Sequence, residues 1–142
     1  MKTRALVMAG VIALAVMSST RVTQAQEVMK VNIPFDFVAG NRSLPAGAYS
    51  VNVSGQMRTL ILVDRKDAAS TILGANDVLA TEPQSESKLI FNRYGDRYFL
   101  SQVWMQGSPR GRQLSKSARE KEIAQVAQVV TPDRVTLVAD LP

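Results

Sequence analysis

From residue 31 onward the apolar positions of the chain recur every second residue. Val31, Ile33, Phe35 and Phe37 alternate with Asn32, Pro34, Asp36 and Val38, the pattern of a strand with one buried face. Pro34 has no N–H to give to a ladder, so this strand is expected at a sheet edge. Gly40-Asn41 and Leu44-Pro45-Ala46-Gly47 carry turn chemistry, and Tyr49, Val51 and Val53 then alternate as a second strand. After a turn at Ser54-Gly55-Gln56, Thr59 to Val63 is an unbroken β-branched and aliphatic run, which predicts a strand covered on both faces. Asp64-Arg65-Lys66-Asp67 reads as a charged turn, Ala69 to Leu73 as a fourth strand and Val78 to Thr81 as a short fifth. Glu82 to Ser87 reads as a loop.

The strongest local pattern is Lys88 to Met105, where two alternating runs flank Gly95-Asp96, a pair suited to a two-residue type I′ or II′ turn. With that loop Arg93 lies opposite Tyr98 and Phe91 opposite Leu100. One face then carries Leu89, Phe91, Tyr98, Leu100 and Trp104, and the other Ile90, Asn92, Tyr94, Phe99 and Val103. Both faces are partly apolar, which predicts a central hairpin. Gln106 to Arg112 has turn formers and charge without an apolar period and reads as an exposed loop. Ser117 with Glu120 three residues on is a capping box, and Ile123, Val126, Ala127 and Val130 follow at the spacing of one helical face. Thr131-Pro132-Asp133 ends that helix, and Val135, Leu137 and Ala139 supply a last strand. The expected fold is mainly β: a small antiparallel β-sandwich or barrel of about seven strands with one C-terminal helix.

The first 25 residues follow a different logic. Lys2 and Arg4 precede the 13-residue apolar run Ala5 to Met17, and Thr23-Gln24-Ala25 ends on a small residue. This is the layout of a secretory signal at 1–25, with cleavage after Ala25, and the run is shorter than the roughly 20 residues of a spanning helix. The expectation is an exported chain, periplasmic or extracellular, with residues 26–142 as one β-rich domain and no stable membrane span after cleavage. A cysteine-free chain of this kind must be held by its core without disulfides.

Removing the signal changes the charge argument. The net charge of +5 includes Lys2, Arg4 and Arg21; residues 26–142 hold 14 basic against 12 acidic residues, a net +2. No global field then favours a polyanion, and no nucleic acid is expected as a partner. Charge is segregated instead: Lys88 to Lys121 is net +6 and each flank is net −2. Arg93, Arg97, Arg110, Arg112, Lys116, Arg119 and Lys121 are the candidate partner-binding residues, because guanidinium and ammonium groups contact phosphate or carboxylate. The competing reading is a solvated loop and helix face. A binding surface would show as a contiguous positive patch beside exposed rings, with Arg110 to Lys121 at its centre. On that view changing Arg110, Arg112 and Arg119 together to Ser would leave folding nearly intact.

The absence of His and Cys excludes a Ser-His-Asp triad, a thiolate nucleophile and the usual zinc or copper ligands. No cofactor or metal is expected. Ser85-Glu86-Ser87-Lys88 matches a serine-x-x-lysine string but lacks the companion motifs of that enzyme class. Asp36, Asp64, Asp67, Asp77 and Asp96 could furnish a carboxylate pair for glycoside hydrolysis, although Asp at turns is expected for backbone capping alone. Tyr94, Tyr98 and Trp104 could form a stacking platform for a sugar or peptide, against the alternative that they pack as core.

Asn32-Ile33-Pro34-Phe35-Asp36-Phe37, Leu44-Pro45-Ala46-Gly47-Ala48-Tyr49, Phe91 to Leu100 and Gly111-Arg112-Gln113-Leu114 together resemble a family of small exported β-rich proteins from acidobacteria. The resemblance covers most of the chain after the signal and implies export and a small β-rich fold. It brings no activity, cofactor or site residue. The expected function is non-catalytic: an exported β-domain binding an anionic envelope component or an extracellular protein. The alternatives are an accessory domain that associates by a sheet edge and a carboxylate-dependent hydrolase.

Overall fold

The computed structural model of the protein describes residues 27–54, 58–128 and 131–139. The signal reading at 1–25, most of the Ser54-Gly55-Gln56 turn and Val130 lie outside the described residues. The elements in chain order are β1 (Glu27–Ile33), β2 (Phe37–Ala39), β3 (Arg42–Leu44), β4 (Gly47–Val53), β5 (Thr59–Asp64), β6 (Ser70–Gly74), β7 (Asn76–Leu79), β8 (Lys88–Tyr94), β9 (Arg97–Trp104), β10 (Arg110–Gln113), α1 (Ala118–Val126) and β11 (Asp133–Val138). The chain is mainly β, as expected.

Two open sheets face each other as a sandwich. The first runs β1-β4-β5-β6, all antiparallel; the second runs β11-β8-β9-β10-β7, with β2 and β3 joined beside the start of β9. Alternating residues of both sheets meet in the core: Met29, Val31, Ile33, Tyr49, Val51, Leu60 and Leu62 from the first, Phe37, Leu89, Phe91, Leu100 and Val103 from the second. Phe37 ties the layers, its ring edge-on to Tyr49 at 5.3 Å and to Phe91 at 5.6 Å. Burying each such side chain contributes about 1.5–3 kcal/mol. The Tyr49 hydroxyl donates to the Pro45 carbonyl at 2.6 Å; burial, then nearby Asp64, Asp36 and Asp67, hold its pKa above the usual tyrosine value.

The chain changes sheet three times: at Pro34–Asp36, between β1 and β2, at Pro45-Ala46, between β3 and β4, and at Ala75, between β6 and β7. The run read as one strand through Phe37 is therefore two, one in each layer. β1 does form an edge, and the missing N–H of Pro34 coincides with the point where the chain leaves it.

Four further expectations are corrected. The described residues form eleven strands, not about seven, because β3 and β10 are too short to show a period in sequence and β2 continues the alternating pattern of β1. One pairing is parallel, β2 on β9 through Phe37 opposite Tyr98. Arg110 to Arg112 is not loop: β10 pairs with both β9 and β7, and Gly111 lets it approach Trp104, where an added Cβ would lie 2.7 Å from the indole. Thr59 to Val63 is buried on one face only, through Leu60 and Leu62.

The β8–β9 hairpin has its two-residue turn at Gly95-Asp96. Of the two only Gly95 has positive φ, at 64°, as a type II′ turn requires. Arg93 faces Tyr98 and Phe91 faces Leu100, as expected. Beyond that point the register shifts between Ile90 and Phe91, leaving Ser101 as a bulge whose carbonyl accepts from Leu114 N–H at 2.8 Å. An extra residue reverses the faces that follow it. Val103 consequently enters the core, and Trp104 joins Tyr94 and Phe99 on the outer face, the reverse of the sequence expectation.

Ser117 caps α1, its hydroxyl accepting from Glu120 N–H at 3.2 Å. The helix stops short of Pro132: its cap is Ala127, and Gln128 adopts a left-handed φ of 55°. Among the described residues no helix is long and apolar enough to cross a membrane.

Candidate functional site

Folding disperses the seven basic candidates. Arg112, on β10, is 4% exposed; it pairs with Asp77 of β7 and donates through Nη2 to the Ser54 carbonyl at 2.8 Å. It joins the second sheet to the end of β4 and is part of the scaffold. Arg110 is exposed beside Leu79, past the Trp104 end of β9, whereas Arg97 starts that strand. Eight residues of strand separate those ends by roughly 25 Å. Lys116 and Lys121 are exposed before and on α1. Arg93 is held at its own hairpin, Nε donating to the Gly95 carbonyl at 2.7 Å, with its guanidinium 5.8 Å from the Tyr98 ring centre. One contiguous patch over Arg110 to Lys121 does not form.

The rings do not make a platform either. Tyr94 and Trp104 are buried, and half-buried Tyr98 stacks on Phe35 with centroids 3.7 Å apart. Tyr94 is part of a buried polar cluster on the outer face of the second sheet. Its hydroxyl, at 3.0 Å, and Asn92 Nδ2, at 2.9 Å, both donate to Glu120 Oε1, and Glu120 is 4% exposed. Burial, followed by the Glu120 carboxylate, pushes the Tyr94 pKa up to about 12. The capping box identified Glu120 as a helix-start residue; its role as the anchor of α1 to β8 had no signal in the sequence. The expected apolar face is left largely outside, with Val126 82% exposed.

Two candidates are brought together. Arg97 and Arg119 line both of two adjoining clefts at the Gly95-Asp96 end of the sandwich. One, of about 410 Å³, lies against β2, β3 and Tyr98; the other, of about 400 Å³, runs along Ile123, Val126 and Ala127 of α1. Arg119 reaches across with Nη1 donating to Ser43 Oγ at 3.0 Å, which fixes it between helix and β3. The Arg97 guanidinium makes no hydrogen bond or ion pair among the described residues. Asp36 and Asp96 border the first cleft and Glu122 the second, so the charge is mixed.

The aspartates considered as a hydrolytic pair mostly have structural partners. Asp36 accepts from Ala46 N–H at 2.9 Å, Asp64 from Lys66 N–H at 2.8 Å, and Asp77 pairs with Arg112. Among the described residues no group of three or more His, Cys, Asp or Glu could hold a metal ion. No family model, curated protein or solved structure matches the chain.

Proposed function

We propose that the protein is an exported, non-catalytic binding domain that takes a discrete anionic group of an envelope or extracellular partner between Arg97 and Arg119. The observation that carries this reading is the convergence of these two guanidiniums, from β9 and α1, on the shared rim of two clefts. Guanidinium forks suit a single carboxylate or phosphate. The neighbouring Asp36, Asp96 and Glu122 oppose a bulk field for a polyanion, and the exposed Val126 beside them favours a partner with apolar surface next to its charge.

The test titrates the protein with inorganic phosphate, a short acidic peptide and phosphatidylglycerol vesicles at low and physiological salt. At least one probe is expected to bind, and its binding to weaken as salt rises, since exposed contacts are screened within about 8 Å at physiological ionic strength. Arg97→Ser with Arg119→Ser should weaken that binding about tenfold or more, the loss of one or two charge-assisted hydrogen bonds. Arg110→Ser should leave it unchanged. Binding by none of the probes, or equal loss in the Arg110 variant, overturns the proposal. A carboxylate-dependent hydrolase is the weaker reading, because Asp36, one of the two aspartates at the cleft, is engaged by Ala46.

A further inference from the structure

The first sheet ends at β6, which among the described residues pairs with β5 alone. The register fixes which backbone groups of β6 stay unpaired. Asp64 N–H donates to the Ala69 carbonyl at 2.9 Å before the strand, and Ala75 N–H to the Arg58 carbonyl at 2.8 Å after it. Hydrogen-bonded pairs alternate along an antiparallel ladder. Between those two ends Thr71 and Leu73 therefore bond toward β5, and the N–H and C=O groups of Ser70, Ile72 and Gly74 point to the open edge. Ile72, at the centre, is 68% exposed. A hollow of about 300 Å³ beside Thr71 to Gly74 leaves the edge approachable, and its one charged border, Arg42, belongs to β3.

Folded proteins blunt such edges with charge, proline or a bulge. The other edge strands here do so: β1 carries Lys30 and runs into Pro34, β3 carries Arg42, β7 carries Asp77, and β11 carries Asp133 and Arg134. β6 reads Ser-Thr-Ile-Leu-Gly, without charge, proline or register shift.

We propose that β6 is a homodimerisation edge, pairing antiparallel with β6 of a second copy about a two-fold axis at Ile72. The strand is self-complementary in that arrangement. Ile72 lies opposite the partner's Ile72 and Ser70 opposite the partner's Gly74, which joins the open groups in about six main-chain hydrogen bonds. No like charges are set against each other, and the pair of half-buried Ile61 and exposed Ile72 continues into the same pair of the second copy. These matches select a second copy over a foreign strand. One strand pair covers well under the roughly 1,200–2,000 Å² of a stable interface, so the dimer is weak and concentration-dependent.

A chain without cysteine makes the test direct. Opposed residues of a hydrogen-bonded antiparallel pair have Cα atoms about 5.5 Å apart, within disulfide reach. Ile72→Cys should therefore oxidise to a covalent dimer about tenfold faster than Val126→Cys, a more exposed control on α1, at the same protein concentration. In sedimentation equilibrium the average mass of the wild type should rise with concentration. Ile72→Pro removes no hydrogen bond within the chain, and Ser70→Lys adds a charge at the edge while keeping every N–H. Both should stay monomeric with an unchanged far-ultraviolet spectrum. A wild type that remains monomeric to millimolar concentration, equal oxidation of the two cysteine variants, or association that persists in both edge variants overturns the proposal.

Discussion

Arg112 and Arg119 stand in one short basic stretch, and their surroundings make them different groups. The first is enclosed between β7, β9 and the end of β4, where its planar fork serves Asp77 and the Ser54 carbonyl at once; the second lies in water with one bond to Ser43. Truncating a buried charged partner leaves its acceptors unsatisfied. Arg112→Ser should accordingly cost about 2–3 kcal/mol, discounted because Asp77 retains some solvent contact. That corresponds to a fall of about 10 °C or more in Tm. Arg119→Ser should stay within about 0.5 kcal/mol of wild type. Thermal denaturation of the two single variants decides this, and equal melting points would remove the scaffold role of Arg112. The expectation that a triple variant including Arg112 folds normally fails for this reason: charge runs are read as solvated when nothing local reports a burial partner, and Asp77 lies far away in sequence.

At the scale of elements, α1 is held unusually for a surface helix. Its single buried residue is a carboxylate, and much of the apolar stripe that should fix it lies exposed. Glu120→Ala would leave Asn92 and the Tyr94 hydroxyl without their acceptor, a cost of about 1–3 kcal/mol. The effect should localise: amide exchange in α1 should accelerate while the amides of β8 and β9 keep their protection. Unchanged exchange in the helix would place its anchorage elsewhere. The two features read correctly in full, the Gly95-Asp96 turn and the Ser117 cap, are set by residues within a few positions of one another. The features missed depend on distant partners. The Ser101 bulge is stabilised by Leu114, β10 exists because β7 and β9 receive it on either side, and the cleft needs Arg97 and Arg119 from separate elements. Alternation alone could not show that Val103 and Trp104 exchange faces, because one inserted residue inverts the pattern without altering its composition.

For the whole molecule, two tyrosines set an upper bound on the pH range of the fold. Tyr49 sits between the layers and Tyr94 beneath the helix, and in both the neutral phenol is favoured on folding. A group whose pKa is raised by folding contributes stability fully below its unfolded value and loses that contribution as pH climbs to the folded value. Stability should therefore be flat up to about pH 10 and fall between about 10 and 12. Denaturant midpoints measured across that range, with Tyr94→Phe for comparison, test the assignment. The variant should show a shallower alkaline decline, and an identical decline would exclude Tyr94 as its source. The three changes of sheet, at Pro34–Asp36, at Pro45-Ala46 and at Ala75, bear on how such a domain can be divided. The first sheet is written in two stretches of chain with β2 and β3 of the second lying between them, and every later strand belongs to the second sheet. Any single cut thus leaves at least one layer split between two fragments, so neither layer can be exchanged or inherited as a separate module, and the smallest transferable unit is the entire sandwich.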